Sequence, residues 1–286
     1  MIVHILKEAF IKLMLLISKV VKTKGVPILL YHCINDHPSC SPVTAISLKT
    51  FEKQLQYLKK KGYKTISLHD LKGYVKGEIL LPSKSVMITF DDGFQDNYNA
   101  IKLAKKYGFN AVLFMTTAYI GCELKYLPFI GEYSIDTFEQ NKAIPGRVSF
   151  LTVDQLNELK KIGTEILPHT AYHRKLTSAS YAEQKKEIHL SHRTINNLLG
   201  HTPTFFGYPY GEYNNDTKSI LKDLEYQGAF AVIDGINRKG DDVFAFKRHN
   251  VSDFSLSYFA LLLTEQYLWY RKIGKALRTI KNKLPK

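Results

Sequence analysis

Strand-like and helical patterns alternate strictly between residues 26 and 251, and this alternation constrains the fold more than any other feature of the sequence. The strand-like stretches are short, rich in β-branched and aromatic residues, and bounded by turn-forming residues. Between them lie helical stretches, such as the one that follows the predicted cap Ser47 and stops at Gly62. Such an order predicts an α/β fold, in which a parallel sheet or barrel is covered by helices. The predicted strands are 26–32, 85–90, 110–116, 164–169, 204–207, 228–233 and 246–251.

Titratable side chains gather where several of these predicted strands end. His32 ends the first strand, Asp91 and Asp92 follow the second, and His169 ends the strand at 164–169. In parallel α/β folds the carboxyl ends of the strands share one face, and functional residues collect in the loops there. We therefore expect these side chains to meet at one site.

The stretch VMITFDDG (86–93) places Asp91 and Asp92 side by side directly after a buried strand. Like charges at the edge of a core repel each other and lose hydration, so some compensation is expected. The pair could serve as helix caps or turn residues, which is the commonest role of Asp after a strand. Alternatively, one carboxylate binds a cation while its neighbour, pointing the other way along an extended strand, faces water.

The stretch HTAYH (169–173) places two imidazoles four residues apart. On a helical turn such positions share one face, which is why this spacing can bind one cation. The spacing alone is weak evidence, because many helices contain it. The position of His169 after a strand strengthens it, since two histidines and one carboxylate leave an open ligand position for water, as in catalytic zinc sites.

The chain is strongly basic, with 40 Lys and Arg against 26 Asp and Glu and a net charge of +14. This surplus favours anionic partners such as nucleic acid, acidic lipid or a charged glycan, although a solvated basic surface has the same composition. Nucleic acid is not expected as a partner, because aromatic residues do not interleave with basic ones outside the two ends.

The three cysteines, Cys33, Cys40 and Cys122, show no CxxC spacing. A disulfide framework or a thiolate zinc site is therefore not expected. Free thiols fit a reducing compartment better than an oxidising one.

Both ends of the chain combine apolar and basic residues at helical spacing. In residues 1–24 the apolar positions are interrupted by Lys7, Glu8, Lys12 and Lys19, and no uncharged run is long enough to span a bilayer. Residues 256–286 place Tyr and Trp next to Lys and Arg. These patterns predict amphipathic helices that bind an anionic membrane surface, either peripherally or as an N-terminal anchor. Terminal helices packed on the domain would show the same pattern.

Three motifs occur together in this chain, namely TFDDG (89–93), HTAYH (169–173) and FGYPYG (206–211). Together they resemble the motifs of the NodB-type polysaccharide deacetylases, carbohydrate esterase family 4, in the same order and at suitable spacing. The resemblance covers residues 25–255, which it predicts to be a distorted (β/α) catalytic barrel between the two terminal helices.

The resemblance implies a role for each matching residue. Asp92, His169 and His173 would bind a divalent metal, with Zn²⁺ expected and Co²⁺ or Ni²⁺ as alternatives. Asp91 would be the general base, and the backbone N–H of Tyr210 would stabilise the oxyanion. The reaction implied is metal-dependent removal of N-acetyl groups from N-acetylhexosamine residues, with release of acetate.

The sequence departs from the commonest family pattern in two places. Gly207 occupies the position of an Arg that normally opens the third motif, and the late Leu-x-His motif that supplies the acid is absent. Both departures resemble the poly-N-acetylglucosamine deacetylases, whose acid is an early histidine in a Tyr-His pair. By this resemblance His32 in LLYH is the acid, and Arg248 in FKRHNVS replaces the missing Arg in holding the base carboxylate. An ordinary surface charge is the alternative for Arg248.

Tyr208 and Tyr172 are predicted to stack on sugar rings, although tyrosines at a barrel rim commonly serve packing alone. The segment 121–150 is predicted to be a substrate-covering loop, or a plain insertion, and Asp36 could orient the imidazole of His32 or belong to a turn. The predicted substrate is an N-acetylated glycan, polymeric or lipid-linked. The alternatives are a carbohydrate O-acetyl esterase and a catalytically inactive glycan- or membrane-binding module.

Overall fold

The computed structural model, which describes residues 2–35, 45–124 and 148–283, alternates strands and helices through the middle of the chain. The strands are β1 (Ile28–Tyr31), β2 (Lys64–Thr65), β3 (Ser85–Phe90), β4 (Ala111–Met115), β5 (Glu123–Leu124), β6 (Val148–Ser149), β7 (Glu165–Pro168), β8 (Phe205–Gly207), β9 (Gly228–Phe230) and β10 (His249–Asn250). The helices of the described residues are α1 (Ile2–Val20), α2 (Leu48–Lys60), α3 (Leu68–Lys76), α4 (Asn97–Lys106), α5 (Val153–Lys161), α6 (Tyr181–Leu199), α7 (Asn215–Asp223), α8 (Leu256–Leu262) and α9 (Gln266–Lys283).

The main sheet is six-stranded and all of its pairings are parallel, so the predicted α/β class is confirmed. Its order is β10-β1-β3-β4-β7, with β2 paired to the start of β3. A second parallel pair joins β8 to β9, and β5 pairs antiparallel with β6.

The two parallel units continue into each other around a distorted barrel. Phe246 forms a parallel bridge with Phe230 of β9, and three residues later the same segment pairs with β1 through His249. On the other side β8 packs against β7, but within the described residues no strand pairing joins them. The barrel is therefore interrupted between β7 and β8.

Side chains of β3 alternate between two apolar clusters. Met87 faces an inner cluster with Phe114, Phe230 and Phe246, whereas Ile88 and its alternate neighbours face the outer helices. Burial of each such side chain stabilises the fold by about 1.5–3 kcal/mol. Because of this alternation, Thr89 and Asp91 point into the barrel on the same side as Met87.

Polar caps fix where the outer helices begin. Ser47 accepts a hydrogen bond from the Thr50 backbone N–H at the start of α2, as predicted. Thr152 and Ser180 form capping boxes at the starts of α5 and α6. Such caps contribute about 1 kcal/mol each, and they set the position of every helix relative to the preceding strand.

The terminal helices pack on the barrel and on each other. Ile11 and Met14 of α1 are buried, and Phe10 stacks on Tyr270 of α9 with ring centroids 5.5 Å apart. The other side of α1 remains exposed. Within the described residues, no helix combines the length and the apolar character that crossing a bilayer requires.

The cysteines differ in state. Cys33 is disulfide-bonded, whereas Cys122 is a free thiol. The expectation of free thiols is therefore wrong for Cys33, because an odd cysteine count is compatible with one bridge and a leftover thiol. Cys40 lies outside the described residues.

Candidate active site

The two adjacent aspartates follow β3 at the carboxyl end of the barrel. The Asp91 N–H donates to Tyr31 O at 2.9 Å, which extends the ladder one residue beyond β3. Asp92 has φ +74° and Gly93 has φ +83°, so the chain turns through two left-handed residues. Both carboxylates are thereby brought to the same imidazole, with Asp91 Oδ2 and Asp92 Oδ1 each 3.7 Å from His169 Nε2.

The expectation that the two carboxylates point to opposite sides was therefore wrong. Alternation requires extended backbone, and Asp92 leaves that conformation. Gly93 is required in this turn, because a Cβ there would lie 2.0 Å from Met115 Sδ.

Asp92, His169 and His173 form a buried cluster whose potential ligand atoms all lie within 4.8 Å of one another. His173 Nε2 lies 3.2 Å from Asp92 Oδ1. That oxygen is buried and accepts no hydrogen bond from the described residues. A carboxylate oxygen left in this state is costly unless a cation completes its environment. The donor set of one carboxylate and two imidazoles fits a divalent metal with an open position for water.

The histidine pair lies on a loop, so the helical turn expected for HTAYH was wrong. Thr170 and His173 both have positive φ, at +61° and +57°. This irregular backbone places the two rings with their centroids 5.0 Å apart. The spacing of the motif identified the pair, but the backbone conformation that brings the rings together is different from the one assumed.

Glu187 of α6 fixes this loop, and sequence reasoning missed it. Its Oε2 accepts hydrogen bonds from the backbone N–H groups of Ala171 and Tyr172, at 3.1 and 2.9 Å. The side chain is buried. Charge-assisted bonds to backbone N–H groups are among the stronger hydrogen bonds, so Glu187 holds the three-residue stretch between the histidines in place. Because Glu187 lies far from the HTAYH motif in the sequence, no local sequence pattern predicted this contact.

His169 is oriented by Gly207 of β8, across the gap in the barrel. Its Nδ1 lies 2.8 Å from Gly207 O. Because a carbonyl oxygen can only accept, Nδ1 carries the proton, and the lone pair of Nε2 points towards the carboxylates.

Gly207 also explains the departure from the family pattern. A Cβ at this position would lie 2.8 Å from the Phe114 ring and 3.0 Å from His169 Nδ1. No side chain fits there. The guanidinium of Arg248 packs on the same Phe114 ring, with its central carbon 5.2 Å from the ring centroid.

Arg248 is fully buried and contacts Asp91 directly. Its Nη1 and Nη2 donate to Asp91 Oδ1 and Oδ2 at 2.6 and 2.8 Å, and its Nε donates to Ala231 O at 3.0 Å. The alternative of an ordinary surface charge is excluded by this position. The contact fixes the plane of the Asp91 carboxylate.

Burial and the neighbouring charges decide the protonation of the cluster. Burial lowers the pKa of His169 to about 4, despite the opposing effect of the Asp91 and Asp92 carboxylates. Burial alone would raise the pKa of Asp92, but the nearby His173 and His32 outweigh it and lower that pKa. A neutral imidazole beside an ionised carboxylate is the state that binds metal.

His32 follows β1 and lies close enough to Asp92 to affect its pKa. Its backbone carbonyl accepts a hydrogen bond of 2.6 Å from Asn97 Nδ2, which also contacts Asp96 Oδ1 at 2.8 Å. Tyr210 has φ +59°, and its ring packs edge-on against His173 with centroids 4.7 Å apart. Both residues therefore border the metal-ligand cluster.

The two predicted sugar-stacking tyrosines differ. Tyr208 is completely buried, stacks on Tyr213, and donates its hydroxyl to Phe244 O at 3.0 Å. It belongs to the core, so its predicted contact with sugar was wrong. Tyr172 is 53% exposed beside the histidine loop. Most of the segment 121–150, and Asp36, lie outside the described residues.

Comparison with known proteins identifies this constellation. The family model described as "Polysaccharide deacetylase" matches residues 80–229, more than half of the 286-residue chain. The chain belongs to the polysaccharide deacetylase family. The resemblance drawn from the three motifs is thereby confirmed, and the chain is assigned as a deacetylase, a hydrolase.

Two curated proteins are similar to this polysaccharide deacetylase. YxkH of Bacillus subtilis (strain 168), provisionally named a polysaccharide deacetylase, is 28% identical over 235 residues, which cover 82% of this chain and 74% of YxkH. The poly-beta-1,6-N-acetyl-D-glucosamine N-deacetylase of Escherichia coli (strain K12) is 22% identical over 225 residues, which cover 72% of this chain but 34% of that enzyme.

Solved structures share the fold over most of the chain. The Streptococcus pyogenes deacetylase PplD, solved in complex with acetate, has a TM-score of 0.69 and 25% identity, covering 85% of this chain and all of PplD. IcaB from Ammonifex degensii also has a TM-score of 0.69, with 23% identity over 84% of this chain and 98% of IcaB.

Proposed function

We propose that this polysaccharide deacetylase is a metal-dependent N-deacetylase that removes acetyl groups from N-acetylhexosamine residues of a glycan. One observation carries the proposal: the buried Asp92–His169–His173 cluster lies beside a second carboxylate, Asp91, which Arg248 holds in place. The similarity to a poly-beta-1,6-N-acetyl-D-glucosamine N-deacetylase supports N-acetylglucosamine as the sugar.

Asp92, His169 and His173 would hold the metal, for which Zn²⁺ is proposed because its usual protein ligands are of these types. When bound, a divalent cation would polarise the acetyl carbonyl and lower the pKa of a water molecule towards about 7.

Asp91 is the proposed general base. Its carboxylate accepts one proton from the attacking water, whose oxygen forms a bond with the carbonyl carbon. Arg248 fixes the orientation of this carboxylate, since both Asp91 oxygens are hydrogen-bonded to the guanidinium.

Tyr210 and His32 complete the proposed reaction. The backbone N–H of Tyr210 donates to the oxyanion, a contribution of about 3 kcal/mol in comparable enzymes. His32 then protonates the amide nitrogen as the carbon–nitrogen bond breaks, because an unprotonated amide nitrogen is a poor leaving group. The products are acetate and a free amino sugar. Tyr172 is proposed to contact the sugar through its exposed ring.

We further propose that the protein binds an anionic membrane surface. The net charge of +14 and the exposed apolar residues on α1 and α9 support this association. The substrate would then be a glycan close to the membrane, polymeric or lipid-linked.

Acetate release is the test of the enzymatic proposal. The purified chain is stripped with a chelator, reloaded with Zn²⁺, Co²⁺ or Ni²⁺, and incubated with N-acetylglucosamine oligomers or with an O-acetylated xylan oligomer. Acetate released from the N-acetylated substrate, lost on stripping and restored by metal, supports the proposal. Release that survives stripping, or release from the O-acetylated substrate alone, contradicts it.

A further inference from the structure

A large cleft lies at the end of the barrel opposite the catalytic residues. Its volume is about 1010 Å³, and it lies between α1, the end of α2, the starts of β1 and β3, and α8. Its apolar lining includes Leu15, Tyr57, Tyr63 and Leu263. A space of this size, with walls of leucine and tyrosine, suits part of an acyl chain.

Among the described residues, the charged ones that line the cleft are all lysines. Five lysines contribute to its lining, while no Asp or Glu of the described residues does. None of the five forms an ion pair within the described part of the chain. The rim lysines are Lys19, Lys22, Lys24, Lys61 and Lys84.

One of these positive charges is held in place by the backbone. Lys84 Nζ donates a hydrogen bond to the backbone oxygen of Lys61 at 2.6 Å, which fixes the position of the Lys84 ammonium beside the end of α2. An anionic group at the rim would be attracted by this fixed positive charge.

The surface of α1 beside the cleft is apolar as well. Leu16 is 58% exposed and Val20 is 84% exposed, and they flank Lys19 on the last turns of the helix. Exposed apolar residues next to lysines match the boundary between headgroups and acyl chains, whereas a nucleic acid or a soluble anion offers nothing for the apolar residues to bind.

We infer that this cleft, defined by its five rim lysines and apolar walls, binds an anionic phospholipid, with the phosphate at the lysines and part of an acyl chain against the leucines and tyrosines. The inference rests on the membrane association proposed above and specifies its site.

The position of the cleft also fixes an orientation. Ser85, at the start of β3, lines the cleft, whereas Asp91 follows the end of the same six-residue strand. At about 3.3 Å per residue the two ends are about 20 Å apart. A protein bound to a membrane through the cleft therefore directs its catalytic residues away from the bilayer. This orientation favours, as the substrate, a glycan chain that projects from the membrane surface rather than the headgroup of the bound lipid.

Vesicle cosedimentation tests the cleft with a matched pair of variants. Lys22→Glu with Lys61→Glu reverses two exposed lysines that line the cleft, while Lys105→Glu with Lys106→Glu reverses two exposed lysines at the end of α4 that do not line it. Wild type and the α4 variant should bind phosphatidylcholine vesicles containing phosphatidylglycerol but not pure phosphatidylcholine. The cleft variant should bind them roughly thirtyfold more weakly. Equal binding by the two variants, or binding of wild type to neutral vesicles alone, would overturn the inference.

Soluble ligands separate a lipid site from a general anion site. Isothermal titration calorimetry should show that dihexanoyl phosphatidylglycerol binds wild type. Glycerol phosphate, which lacks the acyl chains, should bind much more weakly. Equal affinity for both ligands would identify a soluble-anion site and contradict the lipid.

Acetate release from soluble N-acetylglucosamine oligomers tests the orientation. Vesicle-bound enzyme should be as active as free enzyme, and the cleft variant as active as wild type. Inhibition by vesicles would show that the active site faces the bilayer and would refute the orientation. If the free enzyme releases no acetate at all, the N-deacetylase proposal fails. Vesicle binding still tests whether the cleft binds an anionic phospholipid.

Discussion

Arg248 donates two hydrogen bonds to Asp91, one to each carboxylate oxygen, inside the barrel where both side chains are shielded from solvent. The guanidinium comes from the segment between β9 and β10, and the carboxylate follows β3, so the contact links two distant parts of the chain. Two parallel bonds restrict rotation of the carboxylate, which a single point charge could not do. The orientation of the proposed base therefore depends on Arg248.

Arg248→Lys should lower kcat by at least about tenfold while changing KM little. Lysine keeps the charge but cannot form two parallel bonds to Asp91 or the bond to Ala231 O, so the carboxylate is free to turn. Steady-state acetate release measures the effect. The neighbouring Lys247→Arg, which keeps a cation near Asp241, is the matched control and should leave kcat unchanged. Wild-type kcat in Arg248→Lys would show that the bidentate contact does not serve turnover.

Glu187→Gln should weaken metal binding by about 10–100-fold, the usual range for residues that orient ligands. The amide oxygen can still accept both hydrogen bonds from the loop between His169 and His173, but without the charge that strengthens them. Competition with a fluorescent zinc chelator measures the affinity. Glu225→Gln, at an exposed position, makes the same chemical change and should have no effect. Unchanged affinity in Glu187→Gln would refute its positioning role.

Gly207→Ala should destabilise the protein by about 1–3 kcal/mol and reduce metal binding, because the new methyl group would press on Phe114 and His169. Chemical denaturation and zinc content are the two measurements. Gly274→Ala is the control, since a Cβ there meets no atom within 4 Å. A stable Gly207→Ala protein with full metal content would mean that β8 can move away, and the explanation given for this glycine would be wrong.

Asp96 should make stability depend on pH. Burial raises the pKa of Asp96 to about 7, although hydrogen bonds from Ile34 and Asn97 oppose this. Between its ordinary value near 4 and about 7, the unfolded chain has lost this proton and the folded chain retains it, so stability falls as pH rises through that window. Below this pH window Asp96 is protonated in both the folded and the unfolded state, so it does not lower the stability.

Asp96→Asn removes the titration and should flatten this dependence. The gain in Tm of the variant over wild type should grow as pH rises from about 4 to about 7 and then level off. Thermal unfolding of both proteins across this range is the measurement. A constant difference in Tm would mean that Asp96 ionises normally in the folded protein.

Local sequence patterns predicted the strands and the end of the barrel that carries the site. Periodicity and turn residues report local conformation, and parallel order then brings the strand ends together. The motif containing Asp91 and Asp92 was placed correctly after β3 for this reason.

Features set by distant contacts or unusual backbone could not be predicted in this way. The left-handed conformation of Asp92 and the irregular loop at His169–His173 overrode the strand and helix geometry assumed for them. Tyr208 was predicted at the rim, but the side chain turns into a cluster with Tyr213. Glu187 gave no signal, because its partners lie 15 and 16 residues away.

The central claim is that Asp92, His169 and His173 hold a metal while Asp91 performs the proton transfer. The variant Asp91→Asn separates these two roles, since asparagine has nearly the same shape but cannot accept the proton. Metal content and acetate release from N-acetylglucosamine oligomers are measured on the same preparation. The account predicts one equivalent of metal and no acetate above background, whereas an Asp91→Asn protein that releases acetate at the wild-type rate would contradict it.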